Sequence, residues 1–104
     1  MLVNGKWDAE WHPVQGKDAK GRFVRQTSTF RQWITPTGAP GPEGQAALPA
    51  ESGRYHLIVA YICPWACRTL MARALKGLQD VISFSVVDPR LSDQGWTFGD
   101  FPGS

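Results

Sequence analysis

The sequence predicts an α/β fold built on one strand–helix–strand unit and preceded by an irregular N-terminal extension. Residues 55–61 form a short, mostly apolar run rich in β-forming side chains, which is typical of a buried parallel strand. A helical pattern follows directly, and residues 81–87 then combine β-branched residues with partial alternation, which indicates a second strand. Because a helical crossover between two strands of one sheet leaves them parallel, these elements predict a right-handed βαβ unit.

The helix is predicted to begin beside Cys63. This residue stands at the N-cap position, and Pro64 suits the first helical position, where its missing N–H costs no hydrogen bond. Gly77 is the predicted C-terminal stop. One apolar stripe at helical spacing contains Ala66, Leu70, Met71, Ala74, Leu75 and Leu78. The basic side chains predicted largely outside that stripe are Arg68, Arg73 and Lys76.

Residues 1–52 are predicted to form an aromatic- and Gly/Pro-rich extension, and residues 53–104 the α/β part. Three prolines and three glycines between residues 35 and 44 exclude a helix or a central strand there. Five large aromatic residues lie between residues 7 and 33 and need a surface to pack against, so the extension is expected to be ordered. A short hairpin is predicted around residues 17–25.

Composition excludes several classes of protein. The chain has 104 residues, 42% of them hydrophobic and 19% charged, as in one small globular domain. Its net charge of +2 is scattered, so neither nucleic acid nor an anionic membrane is predicted as a partner. No apolar run approaches the roughly 20 residues of a membrane span, and the first residues lack the apolar core of a secretory signal. A cytoplasmic protein is therefore expected.

Cys63 is the predicted nucleophile. A thiol attacks as its thiolate, and the partial positive charge and unpaired N–H groups of a helix N-terminus stabilise a sulfur anion. The alternative is a small apolar residue packed at a strand–helix junction. A Cys-Pro pair at the start of a helix, directly after a buried strand, favours the reactive interpretation.

Cys67, one turn further along, has two interpretations. It is either a resolving thiol or a core residue that continues the apolar stripe. Core packing is favoured, because a disulfide between positions one turn apart on an intact helix is geometrically awkward. The spacing of the cysteines and histidines resembles no zinc site, so no metal is expected.

Other chemistry-bearing side chains give weaker signals. His56 lies within the first predicted strand and is expected to be packed rather than catalytic, and His12 is expected in an exposed loop. Trp65 is expected to border the site. Trp96 follows the second strand, on the side of a parallel sheet where ligands bind, so a stacking role is predicted.

The run Cys63-Pro64-Trp65-Ala66, followed by Arg68-Thr69-Leu70, resembles the active-site turn of glutathionyl-hydroquinone reductases, the Xi class of the glutathione transferase superfamily. Residues 30–34 and 38–42 resemble the N-terminal extension of that class, and residues 95–98 its glutathione-contacting loop. The resemblance covers nearly the whole chain. It implies a thioredoxin-like fold, that of the glutathione transferase N-terminal domain, of which this chain holds the first βαβ unit.

The resemblance also implies an activity. Members of the family remove glutathione reductively from glutathionyl-hydroquinones: the cysteine matching Cys63 takes the glutathionyl group as a mixed disulfide, and a second glutathione resolves it. By the same resemblance, Trp96 packs against bound glutathione. Glutathione is then the co-substrate, no metal takes part, and the full-length family is expected to form homodimers.

Two departures qualify the resemblance. The family usually has histidine where this chain has Cys67, and its chains are about three times as long and include a C-terminal helical domain. The chain is therefore expected to hold only part of the active site. An omega-type thiol transferase or dehydroascorbate reductase, which shares the Cys-Pro-aromatic turn, is one alternative. A non-catalytic interaction module is another.

Overall fold

A computed structural model describes residues 2–11, 14–25, 27–100, 102 and 104. The chain divides into two compact units, residues 1–50 and residues 51–104, and each is described by itself. The predicted division at residue 52, into an N-terminal extension and an α/β part, stays a prediction. His12, expected in an exposed loop, lies outside the described residues.

The described part of the first unit contains three two-stranded sheets. Two are antiparallel and one is parallel. Their strands are β1 (Leu2–Val3), β2 (Lys6–Trp7), β3 (Val14–Lys17), β4 (Phe23–Arg25), β5 (Trp33–Thr35) and β6 (Ala47–Pro49).

The hairpin of β1 and β2 was not anticipated from the sequence. Asn4 and Gly5 form its turn, with φ values of 50° and 78°. Two consecutive residues with positive φ make the tight turn that matches the twist of paired strands, and Asn-Gly is its strongest signature. The signal was therefore present in the dipeptide, but the flanking strands have only two residues each.

The hairpin predicted around residues 17–25 is confirmed. β3 and β4 pair antiparallel, with an irregularity between Val14 and Gly16. Asp18 holds the turn, because its Oδ1 accepts hydrogen bonds from the backbone N–H groups of Lys20 (2.8 Å) and Arg22 (2.9 Å). The hydrogen bond from the Arg22 backbone is the largest cause that lowers the pKa of Asp18 below its ordinary value.

Strands β5 and β6 pair in parallel, which the sequence did not predict. Residues 36–46, which contain the prolines and glycines of the Pro/Gly-rich segment, form the connection between them and include no strand, as the composition indicated. Trp33 packs against this connection at Gly41: a Cβ on Gly41 would lie 3.0 Å from the indole of Trp33 and 2.5 Å from the side-chain oxygen of Gln45. The aromatic ring thus obtains its surface from the loop itself.

The second unit confirms the predicted βαβ arrangement. Its elements are β7 (Tyr55–Val59), α1 (Pro64–Leu75) and β8 (Ile82–Val86). The strands are parallel, with Tyr55 opposite Ile82 and Val59 opposite Val86. Each is two residues shorter than predicted. Among its described residues, the buried apolar ones are Val59, Ala60, Val86 and Val87, so this core lies at the carboxyl ends of both strands.

Gly77, two residues after the last helical residue Leu75, terminates the helix as predicted and has φ +65°. The N–H of Gly77 donates to the carbonyl of Ala74 (3.1 Å), and the N–H of Leu78 donates to that of Arg73 (2.9 Å). This pair of hydrogen bonds is the Schellman motif, in which a glycine in left-handed conformation terminates the helix.

The predicted apolar stripe of α1 is partly wrong. Met71 is 52% exposed and Leu75 is 86% exposed, whereas Arg73, predicted outside the stripe, is half-buried. The Arg73 guanidinium donates to the carbonyls of Ile82 (2.5 Å) and Gln79 (2.7 Å) and lies 5.1 Å from the ring centre of Phe84. A long basic side chain of this kind lies along apolar surface while its charged end is satisfied by carbonyls.

The helix therefore faces the sheet with Ala66, Leu70 and Arg73, at spacings of four and three. This face is rotated from the predicted stripe. Among the described residues, no helix is long and apolar enough to cross a membrane: the 12 residues of α1 span about 18 Å.

Candidate active site

The segment between β7 and α1 presents Cys63 at the N-cap of the helix. Its backbone is extended, with φ −87° and ψ 115°, and Pro64 follows at the start of the helix. The N–H of Cys63 donates to the carbonyl of Ala60 (2.9 Å), and its carbonyl accepts the helical hydrogen bond from Cys67 (3.0 Å). The N-cap position predicted from the sequence is thus confirmed. Cys63 is half-buried, and its thiol is free.

The surroundings of the Cys63 side chain suit an anion. Its sulfur makes no capping hydrogen bond, and the first turn of α1 carries no acidic residue. The N–H groups of a first helical turn point beyond the N-terminus, and the aligned peptide dipoles place partial positive charge there. A nucleophilic sulfur at this point has a strand to position it and a helix end to stabilise its charge.

Cys67 does not pack in the core, so the interpretation favoured from the sequence is wrong. The residue is exposed and its thiol is free. The physical reason is that the helix is rotated from its predicted orientation. Ala66 and Leu70 face the sheet, and Cys67 does not. Both thiols therefore lie near the start of one helix, Cys63 at the N-cap and Cys67 one turn further along, and only Cys63 is partly covered.

His56 is also more accessible than predicted. Side chains alternate along β7 and β8, and Leu57 and Phe84 lie opposite each other on the face that carries α1. His56 lies on the other face and is exposed, with Nδ1 2.7 Å from the Ser83 hydroxyl and Nε2 3.0 Å from that of Ser85. Both ring nitrogens have hydroxyl partners, so the ring is held in place without being buried.

Trp96 lies in a structured loop after β8. The N–H of Asp88 donates to the carbonyl of Thr97 (2.9 Å), which folds the loop back onto the end of the strand. Ser92 and Gly95 pair through two backbone hydrogen bonds, and Gly95 has φ 87°. Trp96 follows this turn and is 44% exposed, which leaves ring surface for a ligand. No hydrogen bond or ring contact among the described residues joins Trp96 to Cys63.

An ion pair that the sequence analysis did not single out braces the same loop. The Arg90 guanidinium donates to both carboxylate oxygens of Asp88 (Nε to Oδ1, 3.0 Å; Nη2 to Oδ2, 2.9 Å). The Arg90 backbone N–H donates to Oδ1 as well (2.9 Å). These bonds from the Arg90 side chain and backbone lower the pKa of Asp88 to about 2. The signal in the sequence was the Asx turn that an Asp-Pro pair initiates.

The Asp88–Arg90 pair lines an open depression of about 470 Å³. Its other lining residues are Pro89, Gly99, Asp100 and Pro102. Among the described residues, no group of three or more His, Cys, Asp or Glu side chains is placed to hold a metal ion.

Arg90→Gln is expected to raise the pKa of Asp88 from about 2 toward 3.8, its ordinary value, because the guanidinium hydrogen bonds are lost. The stability that this carboxylate contributes is present above pH 3.8 and is lost as the pH falls toward 2. An NMR titration of the Asp88 carboxyl carbon measures the midpoint. Arg54→Gln, which removes an exposed guanidinium paired with Glu51 instead, is the matched control. Equal shifts in both variants would show a general effect of net charge and contradict the local cause.

Comparison with known proteins identifies relatives, although no protein-family model matches the chain. A glutathionyl-hydroquinone reductase of Escherichia coli K12, YqjG, is 50% identical over 105 residues, which cover 100% of this chain and 31% of the relative. The glutathionyl-hydroquinone reductase PcpF of Sphingobium chlorophenolicum is 40% identical over 98 residues, covering 94% of this chain and 28% of the relative.

By sequence, the chain belongs with the N-terminal portion of the glutathionyl-hydroquinone reductases.

Solved structures of glutathionyl-hydroquinone reductases and other Xi-class proteins agree with this family and with its fold. The glutathione-bound structure of YqjG from E. coli K-12 has a TM-score of 0.66 at 56% identity, covering 72% of this chain and 25% of that one. A Xi-class glutathione transferase from Natrialba magadii has a TM-score of 0.68 at 46% identity, covering 95% and 28%. The predicted fold, a partial thioredoxin-like domain of the glutathione transferase type, is confirmed.

Both of these glutathionyl-hydroquinone reductases are much longer than this chain. It spans about a third of the E. coli relative. A second group of relatives carries another name: the omega-like glutathione transferase 2 of Schizosaccharomyces pombe is 44% identical over 87 residues, covering 84% of this chain and 26% of the relative.

Proposed function

We propose that this chain contributes the nucleophile, Cys63, to the glutathione-dependent reduction of glutathionyl-hydroquinones to hydroquinones. The observation that carries the proposal is the 50% identity along the whole chain to a protein named for that reaction. The geometry supports it, because Cys63 is a free thiol at a helix N-cap with no acidic side chain in the first turn and a thiolate is stabilised there.

The reaction proceeds in two steps. The Cys63 thiolate attacks the sulfur of the glutathionyl-hydroquinone, a sulfur–sulfur bond forms, and the bond from that sulfur to the ring carbon breaks. The ring carbon takes up a proton and leaves as part of the hydroquinone, so the quinol is reduced and Cys63 is oxidised. A glutathione thiolate then attacks the mixed disulfide and leaves as oxidised glutathione, which restores the Cys63 thiol. Covalent catalysis of this kind divides one difficult step into two easier ones.

Trp96 contacts the bound glutathione in this proposal. The support is its position in the braced loop at the end of β8, with almost half of the side chain exposed. Ligands of parallel sheets bind beside the carboxyl ends of the strands. That the E. coli relative is described as glutathione-bound supports glutathione as the ligand.

The setting is part of the same proposal. The protein works in the cytoplasm, where glutathione keeps thiols reduced, and it needs no metal. Since the E. coli relative is matched over only 31% of its length, turnover is proposed to require segments equivalent to the rest, including a helical domain. Homodimerisation belongs to that longer form.

A second candidate function is an omega-type thiol transferase or dehydroascorbate reductase. The observation that favours it is the identity to omega-like glutathione transferases, which reaches 48% over 80 residues with a Saccharomyces cerevisiae protein. The same Cys63 attacks in both reactions, so the substrate distinguishes them.

The test uses a chimera in which this chain replaces the matched N-terminal part of the E. coli relative. With glutathione and glutathionyl-menadiol, we expect the chimera to release menadiol, detected by chromatography, at a rate at least about tenfold above its rate on dehydroascorbate, because a site built for one leaving group discriminates among substrates. In the same assay, Trp96→Ala is expected to raise the KM for glutathionyl-menadiol more than it lowers kcat.

Faster reduction of dehydroascorbate than of glutathionyl-menadiol would assign the omega-type reaction instead. A folded chimera that acts on neither substrate would leave a non-catalytic interaction module as the function of this chain. An unchanged KM in Trp96→Ala would remove Trp96 from the glutathione site while leaving the role of Cys63 intact.

A further inference from the structure

The exposure of Cys67 sets a second free thiol beside the proposed nucleophile. The two cysteines are joined through the helix backbone, since the N–H of Cys67 donates to the carbonyl of Cys63 (3.0 Å). Neither thiol is in a disulfide. Cys67 is exposed, whereas Ala66 and Leu70 on the same helix are half-buried. An accessible thiol therefore lies one helical turn from the proposed nucleophile.

The direction of helical side chains orients Cys67 toward the first turn of α1. Every Cα–Cβ bond in an α-helix tilts toward the N-terminus, so the side chain at position 67 leans over the first turn, toward position 63. Cys63 lies outside the regular helix, with an extended backbone and no side-chain capping bond. The orientation of its side chain is therefore not fixed by helical geometry.

The distance between the two Cβ atoms determines the kind of disulfide that can form. Cβ atoms four residues apart on a helix are about 5–6 Å apart, whereas a disulfide requires about 3.5–4.5 Å. Rotation at the N-cap has to close the difference, and the hydrogen bond from Cys67 to the Cys63 carbonyl is the one that the rotation loosens. A disulfide formed in this way is strained, and strained disulfides are readily reduced. It is suited to a transient step rather than to a structural cross-link.

We propose that Cys67 is a resolving thiol for the glutathionylated form of Cys63. The Cys67 thiolate attacks the Cys63 sulfur of the mixed disulfide, the Cys63–Cys67 bond forms, and glutathione leaves as its thiolate and takes up a proton. One glutathione then opens the intramolecular disulfide and a second releases oxidised glutathione, which returns both cysteines to thiols. The overall reaction consumes the same reactants as direct resolution by glutathione. This inference rests on the proposed function of Cys63.

Access at Cys67 supports the attack, because the residue is exposed and its thiol is free. An intramolecular thiol is also always present beside the mixed disulfide, whereas free glutathione has to diffuse in. Resolution by Cys67 thus removes the dependence of this step on the glutathione concentration.

The test follows the fate of glutathione on the reduced chain and on the chimera. Each is exposed to glutathionyl-menadiol without free glutathione, quenched with acid, and analysed by intact mass and peptide mapping. The expected result is a Cys63–Cys67 disulfide in the wild type and a glutathionyl group trapped on Cys63 in Cys67→Ser, with at least about tenfold more trapped adduct in the variant because its resolving thiol is gone. Ala72→Ser, which places the same serine side chain at an exposed position of α1, is the matched control and is expected to behave as the wild type.

The outcomes separate the two proposals. Equal amounts of glutathionylated Cys63 in the wild type and in Cys67→Ser, with menadiol released by both, would overturn the resolving role and leave the proposed function standing. Absence of any adduct or disulfide at Cys63, together with no menadiol release, would overturn both. Circular dichroism of the variants distinguishes loss of folding from loss of chemistry, and a folded Cys67→Ser that traps no more adduct than the wild type contradicts the inference.

Discussion

Cys63→Ser is expected to abolish the capture of glutathione and to lower menadiol release by the chimera on the order of a thousandfold or more, because the variant retains the fold but loses the nucleophile. Serine occupies nearly the same volume as cysteine, and a serine hydroxyl is also a good N-cap side chain. The helix is therefore expected to keep its start at residue 64. Rates with glutathionyl-menadiol, together with the mass of the protein after a single turnover, measure the effect.

The matched control for that variant is Ala72→Ser, which places the same side chain on an exposed position of α1. It is expected to keep the rate of the parent protein. Turnover by Cys63→Ser within a few-fold of the parent would exclude Cys63 as the nucleophile. If in addition the adduct mapped to Cys67, the chemistry would have to be reassigned to the exposed thiol.

Sequence reasoning was most successful where a local signal and a tertiary requirement agree. The apolar run at residues 55–61, the proline at position 64 and the glycine at position 77 together indicate one strand and both ends of one helix. Pro64 and Gly77 act through backbone constraints that hold in any surroundings. The βαβ unit could therefore be predicted from one sequence.

The rotation of the helix could not be predicted in the same way. Helical periodicity places Met71 and Leu75 on the same apolar face as Ala66 and Leu70. All four residues are apolar, and a shift of one position along the helix still satisfies the helical spacing. Arg73 determines which face of the helix lies toward the sheet, because its guanidinium donates hydrogen bonds to carbonyls at the start of β8. A hydropathy pattern counts arginine as polar and does not register that its methylene stem covers an aromatic ring.

The candidate site was predictable in its nucleophile position but not in its surroundings. Cys63 was placed correctly at the N-cap by a two-residue motif. The exposure of Cys67 depends on the helix rotation, and the partners of His56 come from hydroxyls 27 and 29 residues away. Long-range pairs of this kind are set by strand register, which a single sequence specifies only through its pattern of buried and exposed faces.

The largest expected effect on stability comes from Val86, at the end of β8. Its side chain is 1% exposed, and it pairs with Val59, which is also buried. Val86→Ala removes two methyl groups from the small core and is expected to lower the free energy of unfolding by about 2 kcal/mol, since the lost burial and the new cavity add together. Urea denaturation followed by tryptophan fluorescence measures the change.

Ile58→Ala provides the matched control for Val86→Ala, because both remove aliphatic carbons from the same two-stranded sheet. Ile58 is 63% exposed, on the face opposite the helix, so its truncation is expected to cost less than about 0.5 kcal/mol. A loss at Ile58 equal to that at Val86 would mean that the second face of the sheet is covered in solution. The four buried residues at the carboxyl ends of the strands would then not be the main core, and the positioning of Cys63 directly after them would need another source of rigidity.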